Sequence, residues 1–156
     1  MKTLILYYSW SQTTAQLATL IAQTSTADVV ELTVDAATFS TDMYATAAIA
    51  KQQLMAKRLP TLTNALPNFN DYQLLLIGGP VWSGTVATPV QSLLSQLAGF
   101  KGQIKPFLTD VGNAGQYVAE FERLTPAQVV LPALELTADD IRQTSSATAQ
   151  IQAWLN

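Results

Sequence analysis

A chain of 156 residues is long enough for one well-supported hydrophobic core, and 49% apolar against 12% charged residues argues for a compact fold and against disorder. A net charge of -3 disfavours nonspecific contact with nucleic acid or an anionic membrane, and no apolar run approaches the roughly 18 residues of a transmembrane helix. With no cysteine and no histidine, disulfides, thiolate nucleophiles, Cys/His metal sites and Ser-His-Asp triads are excluded, so chemistry must come from a cofactor or from carboxylates and hydroxyls.

The apolar run that follows Met1, Lys2 and Thr3 is too short for a signal-peptide core, and a cytoplasmic location is expected. Residues 3–8 read as a first strand. The chain leaves it through the uncharged polar stretch "SWSQTT" and enters a helix with Leu17, Leu20 and Ile21 on one face, capped by Ser11 or Thr13. A second strand covers 29–34. A second helix runs over about 41–58, opening at Ser40 or Thr41 and ending on Lys57 and Arg58 before Pro60 stops it. Residues 59–72 read as a loop, and 74–78 as a third strand.

A third helix opens with Thr88 as cap and Pro89 in its first turn, burying Val90, Leu93, Leu94 and Leu97. After Gly99 and Gly102 comes a fourth strand, 104–109, and then a helix with Tyr117, Val118, Phe121 and Leu124 on one side. A fifth strand, 129–136, is followed after Thr137 by a last helix with Asp139 and Asp140 in its first turn. Ile141, Ile151, Trp154 and Leu155 dock it.

This alternation of strand and helix predicts one α/β domain over residues 1–156, a three-layer α/β/α sandwich with a doubly wound, five-stranded parallel sheet. Ligands of such sheets bind beyond the carboxyl ends of the strands. Three loops should therefore converge at one edge: "SWSQTT" after strand one, "GGPVWSGT" after strand three and "TDVGNAGQ" after strand four. The first leads into a helix, and its N–H groups and hydroxyls suit a phosphate held without Lys or Arg; a plain capping turn is the alternative. Trp82 in the second could stack on a flat aromatic ligand or pack on the neighbouring helix. In the third, Gly112 and Gly115 with Thr109, Asp110 and Asn113 could meet a heterocycle or simply form a turn.

Together these loops resemble those of the flavodoxin family, over essentially the whole chain. "LILYYSWSQTT" resembles its phosphate loop, "IGGPVWSGTVATPV" its first flavin-ring loop and "FLTDVGNAGQ" its second, while "LPTLTNALPNFNDYQLLLIGGPVW" resembles a bacterial subgroup of small flavodoxin-like proteins. The resemblance implies a flavodoxin-like strand order of 2-1-3-4-5 and flavin mononucleotide (FMN) as cofactor. By position, Ser9, Ser11, Gln12, Thr13 and Thr14 would hold its phosphate, with Trp10 shielding the flavin or covering the loop. Pro80, Val81, Trp82, Ser83, Gly84 and Thr85 would line the isoalloxazine, and Thr109, Asp110, Gly112, Asn113 and Gly115 its pyrimidine side or ribityl chain. An uninterrupted fifth strand, "VVLPALEL", resembles the short-chain type.

Two departures bear on function. Gln12 stands where the family's phosphate loop has Gly, at a cost of about 1 kcal/mol or more if that position takes positive φ. The charge of -3 is also mild beside the strongly acidic electron carriers of the family. The expected function is electron transfer through non-covalently bound FMN, to redox partner proteins or a small quinone-like acceptor, by a monomer or homodimer. Asp110 near the ring would disfavour the reduced flavin anion. One alternative is an FMN-dependent NAD(P)H or quinone oxidoreductase with a substrate pocket at Met43, Tyr44 and Phe69; another is a flavodoxin-like binding module that has lost its cofactor, which Gln12 would favour. A receiver domain is excluded, because Ser9 and Gly79 stand where it needs acidic residues.

Overall fold

A computed structural model describes all residues, Met1–Asn156. Strand β1 (Thr3–Tyr7) is followed by α1 (Thr13–Thr24), β2 (Asp28–Glu31), α2 (Met43–Met55) and a short 3-10 helix (Phe69–Asp71). Then come β3 (Leu74–Trp82), β4 (Thr85–Val86), α3 (Thr88–Leu94), β5 (Gln103–Asp110) and α4 (Tyr117–Leu124). The chain closes with β6 (Val129–Val130), β7 (Leu134–Thr137), α5 (Ala138–Arg142) and α6 (Thr144–Leu155).

The parallel sheet runs β2-β1-β3-β5, with β6 and β7 sharing the outer position beside β5, so the five expected strand positions lie in the expected order. β1 and β3 sit at the centre and are apolar on both faces. Alternate residues feed two cores. Leu4, Leu6, Leu75, Ile77, Ile104 and Leu108 pack with α3 and α4, whereas Ile5, Leu76, Phe107, Leu134 and Leu136 pack with α1, α5 and α6. Helices on both faces make the three layers.

Several boundaries differ from the sequence reading, each for a local reason. β2 ends at Glu31, and Val34 bridges Leu62 while Thr63 N–H bonds Thr33 C=O at 2.8 Å, so part of the expected loop 59–72 is paired. α2 is capped by Asp42, whose carboxylate accepts the Ala45 N–H at 2.8 Å, rather than by Ser40 or Thr41. It stops at a Schellman motif before Pro60 is reached: Lys57 takes φ 53°, Lys57 N–H bonds Leu54 C=O and Arg58 N–H bonds Gln53 C=O. Ala87, not Thr88, caps α3; the Thr88 hydroxyl instead donates to Gln53 Oε1 of α2 at 2.6 Å. Val118 is exposed, whereas Tyr117 and Phe121 of α4 are buried in the core and Leu124 packs against it.

The expected unbroken fifth strand is a correction. Pro132 lacks a ladder N–H, and Ile104 pairs with Val130 but Phe107 with Leu134, so this strand spends one more residue than β5 over the same stretch. No segment is inserted at the break. The last helix is likewise two: α5 ends at Arg142, and the chain bends at Gln143 before α6.

Candidate functional site

The polar exit from β1 forms a compact turn at the start of α1. Gln12 is its N-cap residue, left-handed at φ 71° and ψ -7°, and its carbonyl accepts the Gln16 N–H at 3.0 Å. Neither Ser11 nor Thr13 caps the helix. Ser9 Oγ accepts the Ala15 N–H at 3.1 Å, and no acceptor of the chain takes the backbone N–H groups of residues 10–14. Five donors are thus left at the positive end of a helix dipole, with the hydroxyls of Ser11 and Thr13 3.4 Å apart beside them.

The rest of this turn is anchored from outside. Trp10 Nε1 donates to the Ser40 carbonyl at 2.9 Å, and the Thr14 hydroxyl pairs with that of Thr109 at 2.7 Å in a buried contact from α1 to β5. The Thr14 side chain therefore faces the sheet and not the cleft.

β3 continues past its expected end to Trp82 and turns into β4 through a two-residue hairpin, Trp82 pairing with Thr85. Ser83 and Gly84 both take positive φ, 50° and 76°, as the hairpin turn that matches strand twist requires. Trp82 packs edge-on against Phe39 and Tyr8, with ring centroids at 5.0 and 5.7 Å, at the margin of the larger core. Its remaining surface lines the cleft. Burial also pushes the Tyr8 hydroxyl up to about 12, so it stays neutral.

The third loop is built from two side-chain turns: Asp110 Oδ1 accepts the Gly112 N–H and Asn113 Oδ1 the Gly115 N–H, each at 2.9 Å. Gly115, at φ 54°, lies against Gly84, where a Cβ would stand 2.7 Å from the Gly84 Cα. Gln116 N–H bonds the Gly84 carbonyl at 2.7 Å, so the second and third loops are fastened to each other.

Between the loops lies a cleft of about 340 Å³. Trp10, Ser11, Thr13, Pro80, Val81, Trp82, Ser83, Gly84, Thr109, Asp110 and Asn113 line it. Ser9, Gln12, Thr14, Thr85, Gly112 and Gly115 are not part of that lining; Gln12, Gly112 and Gly115 are exposed in the turns around it. Met43 lines the cleft, whereas Tyr44 points to solvent and Phe69 packs on the core. Thr46, Ala47, Val111 and Ala138 were missed. Val111 and Ala138 follow the strand ends at the same sheet edge and could have been found by that rule; Thr46 and Ala47 come from α2 and carried no signal.

Asp110 is the one charged residue in this lining. Its Oδ2 atom is buried without a hydrogen-bond partner. Interaction with the Asp110 carboxylate, partial burial and the negative charges of Asp110 and Asp140 push Glu135, beside it on β7, up to about 7. The site thus offers neutral N–H and hydroxyl donors at one end and a slot between indole, Pro80 and backbone at the other. Such a donor set fits a phosphate, and such a slot fits a flat heterocycle.

The flavodoxin family model matches residues 2–156. No curated protein matches the chain. Among solved structures, a flavoprotein from Lactobacillus acidophilus NCFM, crystallised in complex with FMN, has a TM-score of 0.82 at 34% identity, covering 94% of this chain and 98% of that one. The apo form of the flavoprotein from the same organism, solved by NMR, has a TM-score of 0.69 at 37% identity, covering 86% and 91%. The flavodoxin of Streptococcus pneumoniae TIGR4 shares the fold, with a TM-score of 0.56 at 12% identity over 98% and 99% of the two chains. On the match across nearly its full length, this chain belongs to the flavodoxin family.

Proposed function

We propose that the protein binds FMN non-covalently in the cleft and transfers electrons through it. The observation that carries this reading is the row of unpaired N–H groups over residues 10–14, opening on a cleft walled by Trp10 and Trp82. That a flavoprotein 34% identical over 94% of this chain was crystallised with FMN supports the same ligand. The N–H groups of this turn, with Ser11 and Thr13, would take the phosphate oxygens. Pro80, Val81, Trp82 and Ser83 would flank the ring, and Asp110, Val111 and Asn113 would close its far side. When bound, the flavin supplies the redox chemistry; the chain orients it, limits water and sets the local charge.

Gln12 was the argument for a lost cofactor, but here its backbone takes the left-handed conformation without glycine and the turn around it is complete. The reading extends to a cytoplasmic carrier whose partners are redox proteins or a small quinone-like acceptor. Titrating the purified protein with FMN should quench the flavin fluorescence and perturb its visible spectrum with saturation in the micromolar range or below. No binding at micromolar FMN overturns the proposal. Electron transfer is tested by reducing the FMN-loaded protein anaerobically and adding a one-electron acceptor; reoxidation is expected.

Met43, 61% exposed, and Val111, fully exposed, give the cleft an apolar rim that favours a second reading, an FMN-dependent NAD(P)H or quinone oxidoreductase. Anaerobic NADPH discriminates, since bleaching of the flavin without a partner reductase supports the enzyme.

A further inference from the structure

Glu135 lies outside the cleft lining, yet the sheet places it next to the one charged residue inside. β5 and β7 pair in parallel with Leu108 opposite Glu135 and Asp110 opposite Thr137. Alternate residues of a strand share a face, so Asp110 and Glu135 project from the same face of neighbouring strands, one pleat apart. Asp110 is 9% exposed; its Oδ1 is satisfied by the Gly112 N–H, and its Oδ2 has no partner.

No cation is directed at the two carboxyl groups. The ion pairs of the chain are Lys2 with Asp28, Arg123 with Glu120 and Arg142 with Asp139. The charges of α4 include that Glu120–Arg123 pair. On α5, Asp139 is bound to Arg142 and Asp140 is held in the capping box with Thr137. α1, α6, β4 and residues 111–116 carry no charge. Adjacent carboxyl groups without a cation do not both ionise readily, and a protonated Glu135 is the donor that Asp110 Oδ2 lacks.

We propose that Glu135 is a positioning residue for the cleft: it shares one proton with Asp110, and loss of that proton adds a negative charge at the site and weakens its hold on an anionic flavin. What the cleft holds rests on the flavin reading; the pair itself does not. Glu135 itself is exposed; interaction with the Asp110 carboxyl, residual burial and the nearby charges of Asp110 and Asp140 raise it to about 7, so the proton leaves in the neutral range. The sign follows: below neutrality the pair carries one charge, above it two, and affinity for FMN falls as pH rises.

Two measurements on the full-length protein test this. In carbon-13 NMR titrations of the cofactor-free chain, Glu135 Cδ should titrate near neutrality, and in Asp110→Asn it should return to the ordinary carboxylate range. FMN dissociation constants should rise by about fourfold from pH 6 to pH 8.5, the size of one added, partly screened charge. Glu135→Gln keeps a donor at every pH and should remove that rise, while the ionisation of the FMN phosphate is common to both proteins. Titration of Glu135 with the ordinary carboxylates, an unchanged titration in Asp110→Asn, or the same pH dependence in Glu135→Gln each overturns the proposal. Should FMN not bind at any pH while Glu135 titrates near neutrality, the flavin reading fails and the shared proton stands.

Discussion

At Gln12 the chain accepts φ 71° in a residue with a Cβ, because the turn it belongs to is fixed on both sides. Trp10 is bonded to Ser40, and Thr14 to Thr109. Left-handed backbone in a non-glycine residue costs on the order of 1 kcal/mol, part of which glycine would give back through its freer unfolded chain. Gln12→Gly is therefore expected to raise stability by up to about 1 kcal/mol in urea denaturation, with the FMN site intact. Gly115 is the converse case, since a Cβ there meets Gly84 backbone as well as an unfavourable φ. Gly115→Ala should cost about 2 kcal/mol or more and weaken FMN binding by parting the two loops. The Tyr117 hydroxyl is fully buried with no partner, and burial pushes its ionisation far upward. Removing it in Tyr117→Phe should leave stability unchanged or raise it by up to about 1 kcal/mol, read from the same denaturation curves. Residue types in the three loops were legible from the sequence. The partner of Thr14 was not, because it lies 95 residues away and only the sheet brings it near.

Elements were legible where their signal is local. The Thr137–Asp140 spacing announces a helix start, and the structure completes it as a capping box: Asp140 N–H to Thr137 Oγ1 at 3.2 Å and Thr137 N–H to Asp140 Oδ2 at 2.8 Å. These bonds hold the Asp140 carboxyl below its ordinary value, so the contribution is present above that range and fades as the pH falls through it. Thr137→Ala should lower stability by about 1 kcal/mol at neutral pH, and less in acid, by thermal or urea unfolding. Other features were hidden. The extension of β3 to Trp82 depends on β4 folding back, and the break at Pro132 depends on registry with β5. Neither is stated by the residues of one segment alone.

For the whole molecule, the cleft exists only because three chain segments meet at one edge of the sheet. A ligand that binds there stabilises the folded state by mass action. FMN at a hundredfold excess over its dissociation constant should add about 2.7 kcal/mol and raise Tm by roughly 5–10 °C. A Tm unmoved by saturating FMN would contradict binding to the folded protein. The sequence by itself determined the class of fold, because strand and helix periodicities and the loop chemistry between them are local properties of the chain. It also marked the loops that line the cleft. Only the tertiary structure decided which of their side chains reach it, that α2 supplies a wall, and that Asp110 and Glu135 are neighbours. Those depend on strand registry and on packing between segments distant in sequence, where the energy of each contact is set by a partner that the local residues do not specify.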